Sequence, residues 1–113
     1  MKNSKEFLFG KEIEWEEMAP GVKRQILGYD DKILMARVIF EKGGVGSLHK
    51  HHHSQATYVV SGKFELQVEN EKKILSEGDG FYIPPNAMHG AVCLEEGELI
   101  DVFSPIREDF FTN

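Results

Sequence analysis

Along much of this chain, hydrophobic and polar residues alternate with a period of two. In the run KFELQVEN, Phe64, Leu66 and Val68 fall on one side and Lys63, Glu65 and Gln67 on the other, as in a strand with one buried face. ILMARVIFEK, QATYVVS, KKILSE, GFYIPP, HGAVCLE and ELIDVFS are further short runs rich in β-branched and aromatic residues, preceded by EIEWEEM and VKRQIL on either side of APG. Turn residues recur about every ten positions: GGVGS breaks the chain after ILMARVIFEK, and tight turns are expected at Ser61-Gly62 and Asn70-Glu71. This rhythm predicts an all-β sandwich or small barrel. No segment sustains a helical period, although EWEEM and REDFF could each form one helical turn. Trp15 and Phe81 fit a core, EWEE a solvated acidic face, and Arg37, inside an apolar strand, a barrel edge.

The same alternation exposes one anomaly. In ELIDVFS, Ile100 and Val102 share a face, and Leu99, Asp101 and Phe103 share the other. Asp101 is a carboxylate in an otherwise apolar strand. It is either a structural charge, with Arg107 as its partner, or a functional group in a cavity.

A length of 113 residues suggests one domain over residues 1–113, with a modest core. The formal net charge is -6 and the basic residues are scattered, which argues against nucleic acid as a partner. The opening MKNSKEFLFGKEIEWEE lacks the apolar stretch of a secretory signal, and no later run could span a membrane. Cys93 is the single cysteine, so no intrachain disulfide can form; it fits a small buried residue, and the expected location is the cytoplasm.

Four of the five histidines lie between Gly43 and Gly62. His49 and His51 are separated by one residue and would share a face of a strand; Gln55 follows, and His89 comes later, after Gly78, Pro84 and Asn86. Three imidazoles and an amide oxygen make a metal-ligand set compatible with zinc, nickel, manganese, iron or copper. Without a negative ligand, such a shell leaves the ion's charge uncompensated and favours Lewis acidity toward an anion. His52 and His53 fit the rim of the loop after the ligand pair.

The strings at residues 43–62 and 78–93 resemble the two motifs of the cupin superfamily: a glycine, five residues, His-x-His, an acid and a glycine, then a glycine, a proline turn and a histidine. Three positions depart from the pattern. Gln55 stands where the acid is usual, Asn86 replaces the second glycine and still accepts left-handed turn geometry, and Cys93 replaces an asparagine. EIEWEE, GSLHKHHHSQATYVVSGKFEL, YIPPNAMHG and LIDVFSPIREDF together resemble the small pectin-degradation cupins, in which a glutamine ligand is usual.

That resemblance implies a double-stranded β-helix, the jelly-roll barrel of cupins, holding one divalent transition metal (zinc, nickel, manganese or iron) on His49, His51, Gln55 and His89. It implies a homodimer formed through N-terminal strands. It also implies the linearisation of 4,5-unsaturated uronates from pectin, or of their alginate-derived analogue, to 5-keto-4-deoxyuronates. In this reaction the substrate's carboxylate and ring oxygen can both reach one ion. Opening at C1 releases a C5 enolate, a proton goes to C4, and neither water nor a redox cofactor is consumed. A buried acid must carry that proton, and Asp101 is the candidate. Arg107 could take the substrate carboxylate and Phe103 could wall the cavity, positions the resemblance also implies through DVFSPIR. Cupins host many activities, so two alternatives stand: an iron-dependent dioxygenase on the same histidines, and a non-catalytic module that binds a sugar acid or other small ligand.

Overall fold

The computed structural model describes residues 2–111. Its strands are β1 (Glu16–Ala19), β2 (Val22–Asp30), β3 (Ile33–Phe40), β4 (Val45–His49), β5 (Ser54–Val68), β6 (Glu71–Ser76), β7 (Gly80–Ile83) and β8 (His89–Ser104). They pair antiparallel in the order β1-β2-β3-β8-β5-β6, with β4 also on β8 and β7 also on β5. The long strands β5 and β8 lie side by side. One half of β8 pairs with β4 and the other with β3, while β5 shares its halves between β7 and β6. This is the jelly-roll barrel expected from the sequence.

The length of β5 and β8 corrects the expected turn at Ser61-Gly62. QATYVVS and KFELQVEN form one strand, as do HGAVCLE and ELIDVFS. The chain bends there rather than reversing, because the ladder shifts register between Val59 and Phe64 where Gly62 crosses Gly97. Gly62 has φ +85°, and a Cβ on it would lie 2.6 Å from the backbone of Glu96 and Gly97. The expected turn at Asn70-Glu71 falls one residue earlier: Glu69 and Asn70 close the hairpin, with Glu69 at φ 53°.

Two expectations near the N-terminus also change. EWEEM gives a strand rather than a helical turn, because Glu16 pairs with Arg24 of β2 both in register and through a 3.0 Å ion pair. The 3-10 turn lies earlier, at Gly10–Glu12, where buried Gln25 holds it by donating to the carbonyls of Gly10 and Ile13. Trp15 is exposed rather than core, with the Arg37 guanidinium 5.0 Å from its ring. Arg37 itself lies on the outer face and forks onto Glu98 at 2.8 and 3.1 Å. The neighbouring carboxylates of EWEE are exposed, and REDFF supplies a 3-10 turn at Glu108–Phe111, both as expected.

Two apolar clusters fill the barrel. One contains Phe40 and Phe64, packed edge to face at 5.1 Å, with Val38, Val59, Leu66, Cys93 and Leu99; Phe81 packs against it. Cys93 is buried, and burial raises its thiol pKa. The second contains Leu34, Ala36, Phe103 and Ile106. A cavity opens between the two.

Replacing Gly62 with alanine should test the crossing. Left-handed strain and overlap with backbone that cannot yield should cost about 2–4 kcal/mol in urea unfolding. Wild-type stability in this variant would mean that the crossing is looser than its geometry implies.

Candidate metal centre and active site

His49, Gln55, His89, Asp101, Phe103 and Arg107 enter one region of the barrel, with His51 beside them. His49 ends β4 directly opposite His89 at the start of β8, and their rings lie 4.3 Å apart. His51 lies just beyond β4, not on it as the strand reading required, and its ring is 4.8 Å from that of His89. One ring nitrogen from each of His49, His51 and His89 lies within 4.8 Å of the others.

Backbone carbonyls orient these rings. The Nδ1 atoms of His49, His51 and His89 donate to the carbonyls of Ser47, His53 and Ala87 at 2.8, 3.2 and 2.9 Å. That pattern assigns each proton to Nδ1 and leaves each Nε2 bare, as a metal requires. His89 Nε2 is buried without a hydrogen-bond partner. Burial lowers the His89 pKa to about 4 and also depresses that of His51, so both are neutral at pH 7 and able to ligate.

Gln55 completes the arrangement. Its side-chain nitrogen donates to Thr57 Oγ1 at 3.0 Å and to Asp101 Oδ1 at 3.3 Å, while the Thr57 hydroxyl donates to Asp101 at 2.6 Å. With its nitrogen engaged there, the amide turns Oε1 toward His51 Nε2, 3.1 Å away. If both of those atoms are acceptors, they repel unless a cation lies beside them. Bonds of about 2.1 Å at right angles place neighbouring ligand atoms roughly 3 Å apart, so the spacing suits two ligands of one ion. The donor set fits a metal.

Asp101 lies inward on β8 in register with Thr57 on one side and small Ala36 on the other. Burial raises its pKa to about 6, against the opposing hydrogen bonds from Thr57 and Gln55 and the charge of Arg107. Asp101 makes no ion pair with Arg107, which corrects the structural alternative. The Arg107 Nε and Nη2 instead fork onto Asp109 at 3.0 and 2.7 Å, and its guanidinium lies 4.9 Å from the Phe103 ring. His49, Gln55, His89, Asp101, Phe103 and Arg107 line one cavity of about 370 Å³.

His52 is exposed, as a rim residue should be, but His53 is not. It is buried, its Nε2 donates to the Ile106 carbonyl at 3.1 Å, and it ties the loop to the segment carrying Arg107. Sequence reading missed Thr57, Asp109 and Phe110. Thr57 was accessible from alternation alone, since it shares a strand face with Gln55. Asp109 and Phe110 were not, because they come from a segment without strand periodicity.

A model of the cupin domain matches residues 36–103. The chain belongs to the cupin family. It is 47% identical over 106 residues to the pectin degradation protein KdgF of Dickeya dadantii, covering 92% of this chain and 96% of that one. Among solved structures, an RmlC-like cupin from Shewanella frigidimarina matches with a TM-score of 0.94 and 46% identity, covering 97% and 99% of the two chains. KdgF from a Halomonas species matches with a TM-score of 0.89 and 41% identity, covering 95% and 99%. Bacillus subtilis oxalate decarboxylase, at 18% identity and a TM-score of 0.78, shares the fold alone.

His51→Ala removes one imidazole from the centre of this cluster. Elemental analysis should show a strong loss of bound metal from this cupin, with thermal unfolding still cooperative because the apolar clusters do not depend on the ion. Wild-type metal stoichiometry in the variant would exclude His51 as a ligand.

Proposed function

We propose that this cupin opens the ring of 4,5-unsaturated uronates derived from pectin, giving 5-keto-4-deoxyuronates. The observation that carries the reading is its near full-length likeness to a protein named for pectin degradation, at 47% identity. The site's chemistry supports the same reading. His49, His51, His89 and Gln55 would hold one divalent transition ion, whether zinc, nickel, manganese or iron. Bound there, the ion would supply Lewis acidity toward the ring oxygen and carboxylate of the sugar.

The protein's own residues account for the proton. The substrate loses a proton from the C1 hydroxyl, breaks the bond between C1 and the ring oxygen, and gains a proton at C4. C1 becomes an aldehyde and C5 a ketone, so atoms and electrons balance without an oxidant. Asp101, the group whose raised pKa brings it near neutrality, carries that proton. Thr57 and Gln55 hold its carboxylate in place through Oδ1. Phe103 walls the cavity beside His51, its ring 5.7 Å from the imidazole, and keeps water from the reacting carbons. Arg107 adds positive charge, although Asp109 already engages its fork.

The surroundings of the reaction belong to the same reading: a small anionic sugar as substrate, a cytoplasmic location and a homodimer. No helix among the described residues is long and apolar enough to cross a membrane. Exposed Phe7, Phe9 and Met18 support pairing through the N-terminal segment.

Proton NMR of the metal-loaded protein with unsaturated galacturonate provides the direct test. The C4 vinyl signal should disappear while an oxygen electrode stays flat. Oxygen uptake coupled to product would favour an iron dioxygenase, and binding without conversion would favour a sugar-acid receptor.

Asp101→Asn preserves the size and hydrogen bonding of the side chain but removes its exchangeable acid proton. Turnover should fall by roughly 10²–10⁴, the range for losing a general acid-base group, with metal content unchanged. A near-wild-type rate at full metal occupancy would remove Asp101 from the proton path.

A further inference from the structure

Arg24 interrupts an apolar row on the inner face of the barrel. Across the ladder, Val59, Leu99 and Val38 lead to Arg24, with Glu16 beyond it at the edge. Arg24 is 8% exposed and lines the same cavity as His49, His89 and Asp101. Its Nε donates to Glu16 at 3.0 Å, and its guanidinium lies 3.6 Å from the centre of the Phe110 ring. Arg107 lies 4.4 Å from the centre of that ring, so both guanidinium groups pack on Phe110.

The two arginines differ in what they have left to give. Arg107 spends Nε and Nη2 together on Asp109. Arg24 spends only Nε, and neither of its terminal nitrogens has a hydrogen-bond partner among the described residues. A guanidinium has five N–H donors, and the terminal nitrogens of Arg24 are not sealed into the core but remain accessible on a residue that lines the cavity. A ligand carboxylate in the cavity could accept from both terminal nitrogens.

We propose that Arg24 is the anion-binding group of this pocket, taking the carboxylate of an acidic sugar and selecting it over a neutral one. The proposal rests on the uronate reading above and moves to Arg24 the carboxylate-binding role that the sequence suggested for Arg107. Phe110 holds the guanidinium flat and shields one face of it from water.

The test uses metal-loaded protein and a pair of sugars that lack the 4,5 double bond and so cannot form the 5-keto product, galacturonate and its methyl ester, with binding measured by calorimetry. Arg24→Gln should raise the Kd for galacturonate roughly ten- to a hundred-fold, the range for hydrogen bonds to charged groups, and that for the ester less than about three-fold. Equal changes for the two sugars, or none, overturn the proposal. So does a wild-type protein that binds the acid no better than the ester. If Arg24→Gln loses its metal or its cooperative unfolding, Arg24→Lys decides, because a point charge cannot reproduce the planar donor edge: galacturonate should weaken and the ester should not, and unchanged galacturonate affinity overturns the proposal. Vinyl-proton NMR of the wild type separates this idea from the reaction. Discrimination that depends on Arg24 without turnover would sink ring opening and leave Arg24 in its role. Turnover without that dependence would do the reverse.

Discussion

Everything the pocket can do depends on which end of the Gln55 amide faces the histidines. An amide presents an acceptor at one end and a donor at the other, and the two ends are sterically almost equivalent. Thr57 and Asp101 settle the choice. Asp101 Oδ1 accepts from the Thr57 hydroxyl and from Gln55 Nε2, so the Gln55 nitrogen is held on the carboxylate side and Oε1 is left for the histidines. Reversed, the amide would present N–H groups to His51 and its oxygen to a carboxylate. The histidine end and the Asp101 end of the site are therefore not independent. They are two faces of one side chain, joined by hydrogen bonds across a strand pair.

The barrel makes that joint possible. Gln55 and Thr57 sit at one end of β5, and Asp101 and Phe103 sit opposite them on β8, with Thr57 in register with Asp101. His89 comes from the other end of β8 and is reached through β4, which pairs there. A flat strand pair would leave the two ends of β8 far apart. The bend where Gly62 crosses Gly97 folds β5 and β8 together, so both ends serve one cavity between the two apolar clusters. The residues that hold the site in shape thus include two glycines that touch nothing chemical.

How much of this was legible in the sequence follows from its range. Alternation of period two is local, and it placed Leu99, Asp101 and Phe103 on a common inner face correctly. Motif spacing reached His49, His51, Gln55 and His89 because the two strings carry their own turns. The Ser61-Gly62 error arose because a glycine in a turn and a glycine at a close strand crossing look identical in sequence; only the opposing Gly97 distinguishes them. Trp15 was misplaced because its burial depends on what covers β2, and the segment that does so is anchored by Gln25, a polar residue with no sequence signal for that role. Arg24 was passed over for a similar reason. Alternation in VKRQIL does put Arg24 on the face of Val22 and Ile26 and Lys23 on the other, but a lone arginine in a strand reads as an ordinary surface charge.

Charge makes the final connection. The chain carries a net charge of -6, which by itself would repel an anionic sugar. The cavity reverses that locally. The side chains of Arg24 and Arg107 are 10% exposed, whereas those of their partners Glu16 and Asp109 are 44% and 57% exposed. Water therefore screens the carboxylates more effectively than it screens the guanidinium groups, and the pocket feels more of the positive charge than of the negative. The neutral fourth donor belongs to the same logic. A glutamate at position 55 would face Asp101 across the 3.3 Å now spanned by an N–H···O bond. Two carboxylates that close can be held together only by a shared proton, which would be the very proton that the proposed mechanism asks Asp101 to move. With glutamine there, the carboxylate of Asp101 stays separate from the metal-ligand set, and the buried positive charge remains available to the substrate.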